Sequence, residues 1–493
     1  MTLVRRRLYF VVALLVSFAC LTVYIGKTST SPTWPTQKHS PDTPTRYQSS
    51  LSGLNLTPDF EFRRQCLRPR QRRGLVRQHG SVFDVQGEFM TPPVQLKTSE
   101  LLHPDVDARL ATPACPKPLT VDVPAPLRHV HKPDEVDTSM LMLGMATSLK
   151  RLTASLPEMA RWLADTSTPL LVILRDQLTL IPRNQFDLRV LDKRQAPVAD
   201  EKEKTDAAAG EAQSNFGLAR AFLHYKTPAT KWFGVIDDDT FFVSLPATVR
   251  ALAPFATDQP YYVGALSERH LGMNTEGFKA WGGAGIFMTL PLITTLAANF
   301  DTCIRLAGTW GDALWRDCIA LSTAPTVQLT QLPGLHQLDM FPGVAGWFES
   351  GPWPILTLHH WKSWYSFPIP EAHLVTALAG PHSLFARFAF RQGEQNITLT
   401  NGYSLVEYPN GMPDLSLTEN TFTAYPDAGP DDAVREYRFS LGRLRPKLVE
   451  GTEKRSWTLE HAVLDAGVAR QFYVRRGGGA GGMDSVIEVD WVR

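Results

Sequence analysis

The sequence predicts an α/β chain in which a mostly parallel sheet flanked by helices is followed by a C-terminal β-rich module. Two patterns carry this expectation. Between residues 137 and 380, short continuous apolar runs such as Leu170–Leu174 and Trp232–Ile236 alternate with segments of helical period, as strands buried on both faces and joined by helices do. After about Gly380 that period gives way to short alternating runs punctuated by Gly, Pro and Asn, as in an antiparallel sheet. With 493 residues and 43% hydrophobic side chains the chain has apolar material for two or three domains, which excludes a disordered or fibrous protein. Its 50 Lys and Arg nearly balance 49 Asp and Glu, so no global field attracts nucleic acid and function must come from a local site.

Residues 1–7 read as a cytosolic tail and the apolar run Leu8–Gly26, roughly bilayer-long, as a transmembrane signal-anchor. Arg5, Arg6 and Arg7 before it against Lys27 beyond it place everything downstream in a lumen, which is type II topology. A cleaved signal peptide is the competing reading, opposed by the length of the run and by the lack of an A-x-A site after it. Residues 27–136 read as stem and linker. Ser, Thr and Pro dominate as far as about Pro58, and the cluster Arg63, Arg64, Arg68, Arg70, Arg72, Arg73 and Arg77 reads as solvated. Asn55-Leu56-Thr57 and Asn396-Ile397-Thr398 are glycosylation sequons, usable only in a secretory lumen. Cys20 lies in the span. The four remaining cysteines would face an oxidising compartment, and pairing of near neighbours, Cys66 with Cys115 and Cys303 with Cys318, is expected.

Within 137–380, Ser139–Met145 is the first expected strand. A helix capped by Thr147 and Ser148 follows, with Leu149, Leu152 and Leu156 on one face and a kink or restart at Pro157. Leu170–Leu174 and Phe186–Leu191 are expected strands, Asp200–Gly210 an exposed loop, Ala212–His224 a helix and Trp232–Ile236 the next strand. In residues 381–493 the expected strands are Tyr403–Tyr408, Arg438–Leu441, Val468–Val474 and Val486–Val492. Gly477–Gly482 reads as a hairpin tip, since no helix follows it to make a phosphate loop.

The sharpest local feature is Asp237-Asp238-Asp239, set between the apolar strand Trp232–Ile236 and the apolar Phe241-Phe242-Val243. Three successive carboxylates without basic neighbours repel one another unless a cation or hydrogen-bond donors meet them. In an extended backbone Asp237 and Asp239 point to one side and Asp238 to the other. An acidic surface turn would not sit between two such apolar runs, and the pattern of an EF-hand is missing. Gly282-Gly283-Ala284-Gly285 allow backbone to approach a ligand closely, although a tight turn would explain them equally well. Asp312 and Asp317 stand on a helical segment five residues apart, so they do not share a face. His359-His360 ends the β-like run Ile355–Leu358, which sends one imidazole into the site and the other away.

The ordered set of Asp237-Asp238-Asp239, Gly282-Gly283-Ala284-Gly285, the acidic segment at Asp312, Gly334-Leu335-His336-Gln337-Leu338-Asp339 and Leu358-His359-His360 resembles fringe-like members of glycosyltransferase family 31. The resemblance covers about Asp137 to Trp364 and is nearest to the fungal and plant branch. It implies a GT-A fold, a UDP-sugar donor bound through a DxD motif, and inverting transfer to a hydroxyl of a glycan or glycoprotein with a β-1,3 linkage. It implies a manganese ion, or magnesium, held by Asp239 and His359 with His360 as the alternative, and Asp237 and Asp238 at the nucleotide. By the same resemblance Asp312 is the base, with Asp317 the contender because the family shows two adjacent acids where this chain has Gly311-Asp312. Thr147 and Asp176 are expected at the uridine, since they follow the first two strands where ligands of open α/β sheets lie. Gly283, Ala284 and Gly285 are expected at the donor sugar and acceptor, and a Golgi membrane location follows from the family alone.

Two other readings are open. A metal-dependent phosphohydrolase would need a second metal and a second set of clustered His and Asp, which the sequence does not show. A membrane-tethered carbohydrate- or nucleotide-sugar-binding protein without turnover is the alternative function, distinguished by nucleotide binding without transfer.

Overall fold

The computed structural model describes residues 50–89, 92–102, 117–124, 136–175, 186–192, 214–306, 311–340, 343–393, 395–422, 430–477 and 482–493. The expected tail and signal-anchor, the first part of the stem, the loop at 200–210 and Cys115 lie outside these residues. Among the described residues no helix is long and apolar enough to cross a membrane.

A seven-stranded mixed sheet forms the first half. Its order is Leu329–Gln331, Tyr262–Gly264, Ile286–Thr289, Trp232–Val235, Leu141–Thr147, Leu170–Leu174 and Leu188–Asp192. Ile286–Thr289 runs antiparallel to both neighbours, and the remaining pairs are parallel. The continuous apolar runs have the meaning that their pattern suggests. Leu141, Leu143 and Met145 enter one core with Leu170, Val172 and Leu174, while Met142, Leu171 and Ile173 enter a second core on the opposite face with Phe222 and Phe233. Because side chains alternate across a strand, both faces must be covered, and helices and the second sheet cover them.

The helix after the first strand spans Leu149–Leu163, capped by the Ser148 hydroxyl accepting from the Arg151 N–H. It runs through Pro157 as one helix, without the restart that is one of the two expectations there. The ring removes one backbone bond, but Leu152, Leu156, Met159, Trp162 and Leu163 are buried along one face, and their packing holds the helix together.

The second half is a ten-stranded sheet, and it is not made by the C-terminus alone. The 27–136 stretch expected as stem and linker supplies four of its strands, Asp59–Arg72, Val82–Val85, Val94–Lys97 and Leu119–Pro124. Asp59–Arg72 pairs in parallel with Asp484–Trp491 on one side and with Leu119–Pro124 further along. Several of the arginines expected in solvent are consequently partnered, Arg70 and Arg72 while still largely exposed. Arg64 Nε lies 3.1 Å from Glu488 Oε2, and Arg70 and Arg72 meet Asp122 at 2.6 and 3.0 Å. Arg77 is buried and donates to the carbonyl oxygens of Pro352, His382 and Leu384, which fastens this N-terminal segment to the later chain.

Arg438–Leu441, expected as a strand, is the end of the helix Pro430–Leu441. Tyr437 and Leu441 are buried four residues apart while Phe439 between them is half-exposed, which is helical spacing. The sheets share one core, in which Leu141 and Leu143 join Phe388, Leu399, Ile487 and Trp491. Cys303 and Cys318 form the expected disulfide, and Cys66 is also disulfide-bonded.

Candidate active site

A three-stranded sheet brings the site together. Phe241–Phe242 pairs antiparallel with Thr357–Leu358, Leu358 opposite Phe241, and Thr357–Leu358 pairs in parallel with Leu335–His336. This register sets His359, the residue after Leu358, against the acids that precede Phe241. The acids stand in a turn rather than an extended run, closed by the Thr240 N–H donating to the Asp237 carbonyl. Asp237 and Asp239 nevertheless both face His359, whose Nε2 is 2.8 Å from Asp239 Oδ1 and 3.4 Å from Asp237 Oδ2.

Asp238 turns elsewhere. Its carboxylate accepts from the Thr147 hydroxyl and, at 2.6 Å, from Arg151 Nη2. Thr147 and Asp238, both expected at the nucleotide, thus bond each other and tie the acidic turn to the end of the first strand and the start of the first helix. Asp176 lies outside the described residues.

The glycine turn fits beneath these groups. Thr240 joins the two segments, its hydroxyl accepting from the Asp237 N–H and donating to the Gly283 carbonyl. A Cβ on Gly283 would stand 2.1 Å from the His359 ring, and one on Gly282 would stand 2.5 Å from Asp312 Oδ1. Real Cβ contacts do not come so close, so only glycine lets the imidazole and the carboxylate lie against this backbone. The Gly282 N–H donates to Asp312 Oδ2 at 3.0 Å, Ala284 N–H donates to Gln337 Oε1, and Ala284 itself is buried. Gly285 takes φ +107°, a left-handed conformation open to glycine.

Asp312, in the first turn of the helix Gly311–Ser322, therefore reaches the glycine turn. Asp317 does not. It accepts from Arg316 Nε at 2.7 Å. Burial pushes the Asp312 carboxyl up to about 6; Lys279, 3.9 Å away, works against this and Asp237 adds to it. Burial alone would lower His359, but its hydrogen bonds to Asp237 and Asp239 outweigh that and raise it to about 10. The same contact holds Asp239 well below the usual carboxylate range in spite of its burial.

His360 departs from the strand expectation. Its φ of +55° breaks the alternation, so the rings of His359 and His360 lie 3.8 Å apart, both on the acidic side. Ligand atoms of Asp239, His359 and His360 all fall within 4.8 Å of one another. Two buried atoms here, Asp239 Oδ2 and His359 Nδ1, have no hydrogen-bond partner. Asp239 and His359, each with an unpartnered buried atom, fit a divalent cation with His360 beside them, although His360 Nδ1 is 3.2 Å from the Ser363 hydroxyl and would have to exchange a partner; the nitrogen donors suit manganese better than magnesium. Gln337 and Asp339, quoted above only as part of a motif, turn out to support His360. Asp339 Oδ1 is 3.3 Å from its Nε2 and Gln337 Nε2 is 3.4 Å away. Buried Glu268 in turn accepts from the N–H groups of Gln337 and Asp339. Neither Glu268 nor Lys279 belongs to a motif, and sequence reasoning missed both; only their burial as charged groups marks them.

Residues 192–339 match a family model described as Fringe-like, and residues 275–439 match one described as a protein of unknown function, DUF604. Each covers about a third of the chain. The first takes in the acidic turn, the glycine turn and Asp312, and it supports a glycosyltransferase; the second takes in the glycine turn, Asp312 and both histidines. No curated protein matches. Among solved structures, mouse Xyloside xylosyltransferase 1 in its apo form aligns with 39% of this chain and 84% of its own, at 13% identity and a TM-score of 0.26. That score is too low to establish a shared fold.

Proposed function

We propose that the chain is an inverting glycosyltransferase that moves a sugar from a UDP-sugar to a hydroxyl of a glycan or glycoprotein, with manganese at Asp239, His359 and His360. The observation that carries this reading is the pair of unpartnered buried atoms, Asp239 Oδ2 and His359 Nδ1, beside Asp312 within the Fringe-like match. The seven-stranded mixed sheet with one antiparallel strand fits a GT-A type domain. A bound manganese ion would supply positive charge to the diphosphate leaving group as its charge develops.

The chain's own residues do the rest. Asp237, half-exposed beside the cation ligands, is directed toward the ribose or a metal-bound water. Asp312, its pKa pushed up to about 6, is deprotonated at neutral pH yet basic enough to accept the proton of an attacking hydroxyl at its carboxylate. The Gly282 N–H and Lys279 orient that carboxylate. In the absence of a cation, protonated His359 holds Asp237 and Asp239 together, so cation binding would displace a proton from it. A β-1,3 linkage, the fungal and plant branch and a Golgi location belong to the same reading and rest on the family resemblance, whereas a type II anchor at Leu8–Gly26 rests on that apolar run and the arginines before it.

The experiment is a screen of UDP-sugars with the full chain, following UDP release in the presence of manganese. Release that falls in Asp312→Asn but persists in Asp317→Asn supports the assignment; equal loss in both would contradict it. No release with any UDP-sugar, despite tight UDP binding, would favour the tethered sugar-binding protein.

A further inference from the structure

A cleft of about 620 Å³ opens beside the site, between the helix His270–Glu276, the end of the helix Pro430–Leu441 and the segment 331–336. Its size is that of a small-ligand pocket. Phe278 and Phe439 line it with 72% and 49% of their surfaces exposed, which offers aromatic surface to a ligand. Asn274, Gln331 and His270 add polar groups to the same walls.

Charge narrows the occupant. Among the described residues no Lys or Arg lines the cleft. Glu268 lies in its wall, but both carboxylate oxygens are taken by the N–H groups of Gln337 and Asp339. His79 and His336 also line it, and burial lowers both, so they are neutral at pH 7. Aromatic rings that cover the C–H face of a ring, with amide and imidazole groups for its hydroxyls, match an uncharged sugar. An anionic ligand would find nothing to pair with.

Position ties the cleft to the reaction. Phe278 precedes Lys279, whose Nζ is 3.9 Å from Asp312 Oδ2. On the other wall, the Ser267 hydroxyl donates at 2.6 Å to Asp339, which bonds His360. Cleft residues therefore connect to both: Ser267 directly to the support of the cation ligands, and Phe278 through the adjacent Lys279 to the proposed base.

We propose that this cleft binds the acceptor, and that the acceptor is a neutral saccharide held by Phe278 and Phe439. The proposal rests on the transferase reading for the word acceptor, and only for that. The test uses the full chain, wild type against Phe278→Ala, Phe439→Ala and Phe278→Trp, with a library of neutral and sialylated oligosaccharides. In parallel, thermal stabilisation by UDP with manganese is measured for each. Binding of neutral members is expected to weaken at least tenfold in both alanine variants and to survive in Phe278→Trp, with the UDP response kept throughout. Unchanged glycan binding in both alanine variants, a preference for sialylated members, or no glycan bound by the wild type would each overturn the proposal. If the variants lose glycan binding while even the wild type lacks a UDP response, the cleft stands as a sugar site and the transferase reading falls.

Discussion

Two buried clusters of charge in this molecule are built to opposite ends. In the second half, Glu349 and Glu419 lie with Lys454 and Arg445. Lys454 Nζ is 2.9 Å from Glu419 and 3.8 Å from Glu349, and Arg445 is 2.7 Å from Glu419. Two acids face two bases, and the Ser404 hydroxyl and the Leu448 N–H donate to one oxygen of each acid; Glu349 Oε2 and Arg445 Nε lack hydrogen bonds, but the charges match in number. At the acidic turn, Asp237, Asp239, Asp312 and Asp339 face two histidines and Lys279. There, even with His359 protonated, the four carboxylates outnumber the positive charges, so negative charge is left over. Buried charge that the protein neutralises by itself holds a fold together, whereas buried charge left over marks where a ligand completes it.

This difference is sharpest in what a single substitution removes. Asp312→Asn should lower transfer by about 10²–10⁴-fold, the range for a positioned base, without lowering the unfolding midpoint. Lys454→Met should do the reverse. Stranding Glu349 and Glu419 costs about 3–5 kcal/mol in chemical denaturation, while metal-dependent UDP binding by the folded fraction persists. A Lys454→Met protein that stays fully stable would break the comparison.

Gly283→Ala comes next. A Cβ against the His359 ring forces the turn or the imidazole to move, at about 1–3 kcal/mol, and should weaken the manganese response in calorimetric titration more than it weakens the fold.

The smallest effect is in pH. If Asp312 titrates near 6, activity at pH 5 should be about tenfold below its plateau. The folded pKa lies above the unfolded one, so the protonated form is the one the fold favours. Stability from this group is accordingly lost as pH rises from the ordinary carboxylate range through about 6. Denaturation across that window should show a steeper slope in wild type than in Asp312→Asn, the remainder coming from groups such as Glu268, which burial pushes up to about 7.

The two clusters also differ in how legible they are. Asp237-Asp239, the glycine turn, Asp312 and His359 each stand in a short segment with a recognisable pattern, although the backbone of the acids, expected to be extended, closes into a turn. The shift of His360 to the same side is invisible because it depends on one positive φ. The strand Asp59–Arg72 is hidden for another reason. Its arginines look solvated until Asp484–Trp491, more than 400 residues later, brings Glu488 beside Arg64. Long-range pairing likewise makes Lys454, Glu349 and Glu419 unreadable as a network. The helix ending at Leu441 is mistaken for a strand because four residues of alternating character satisfy either period.

The central claim is that a cation and a nucleotide diphosphate complete the acidic turn. It is tested most directly by thermal unfolding of the full chain with UDP, with and without manganese, in wild type and Asp239→Ala. At ligand about 100 times its dissociation constant, UDP with manganese should add about 2.7 kcal/mol of stability and raise the midpoint by a few degrees. Neither UDP alone nor the variant should show the rise. A well-folded wild type with no manganese-dependent shift would contradict the account.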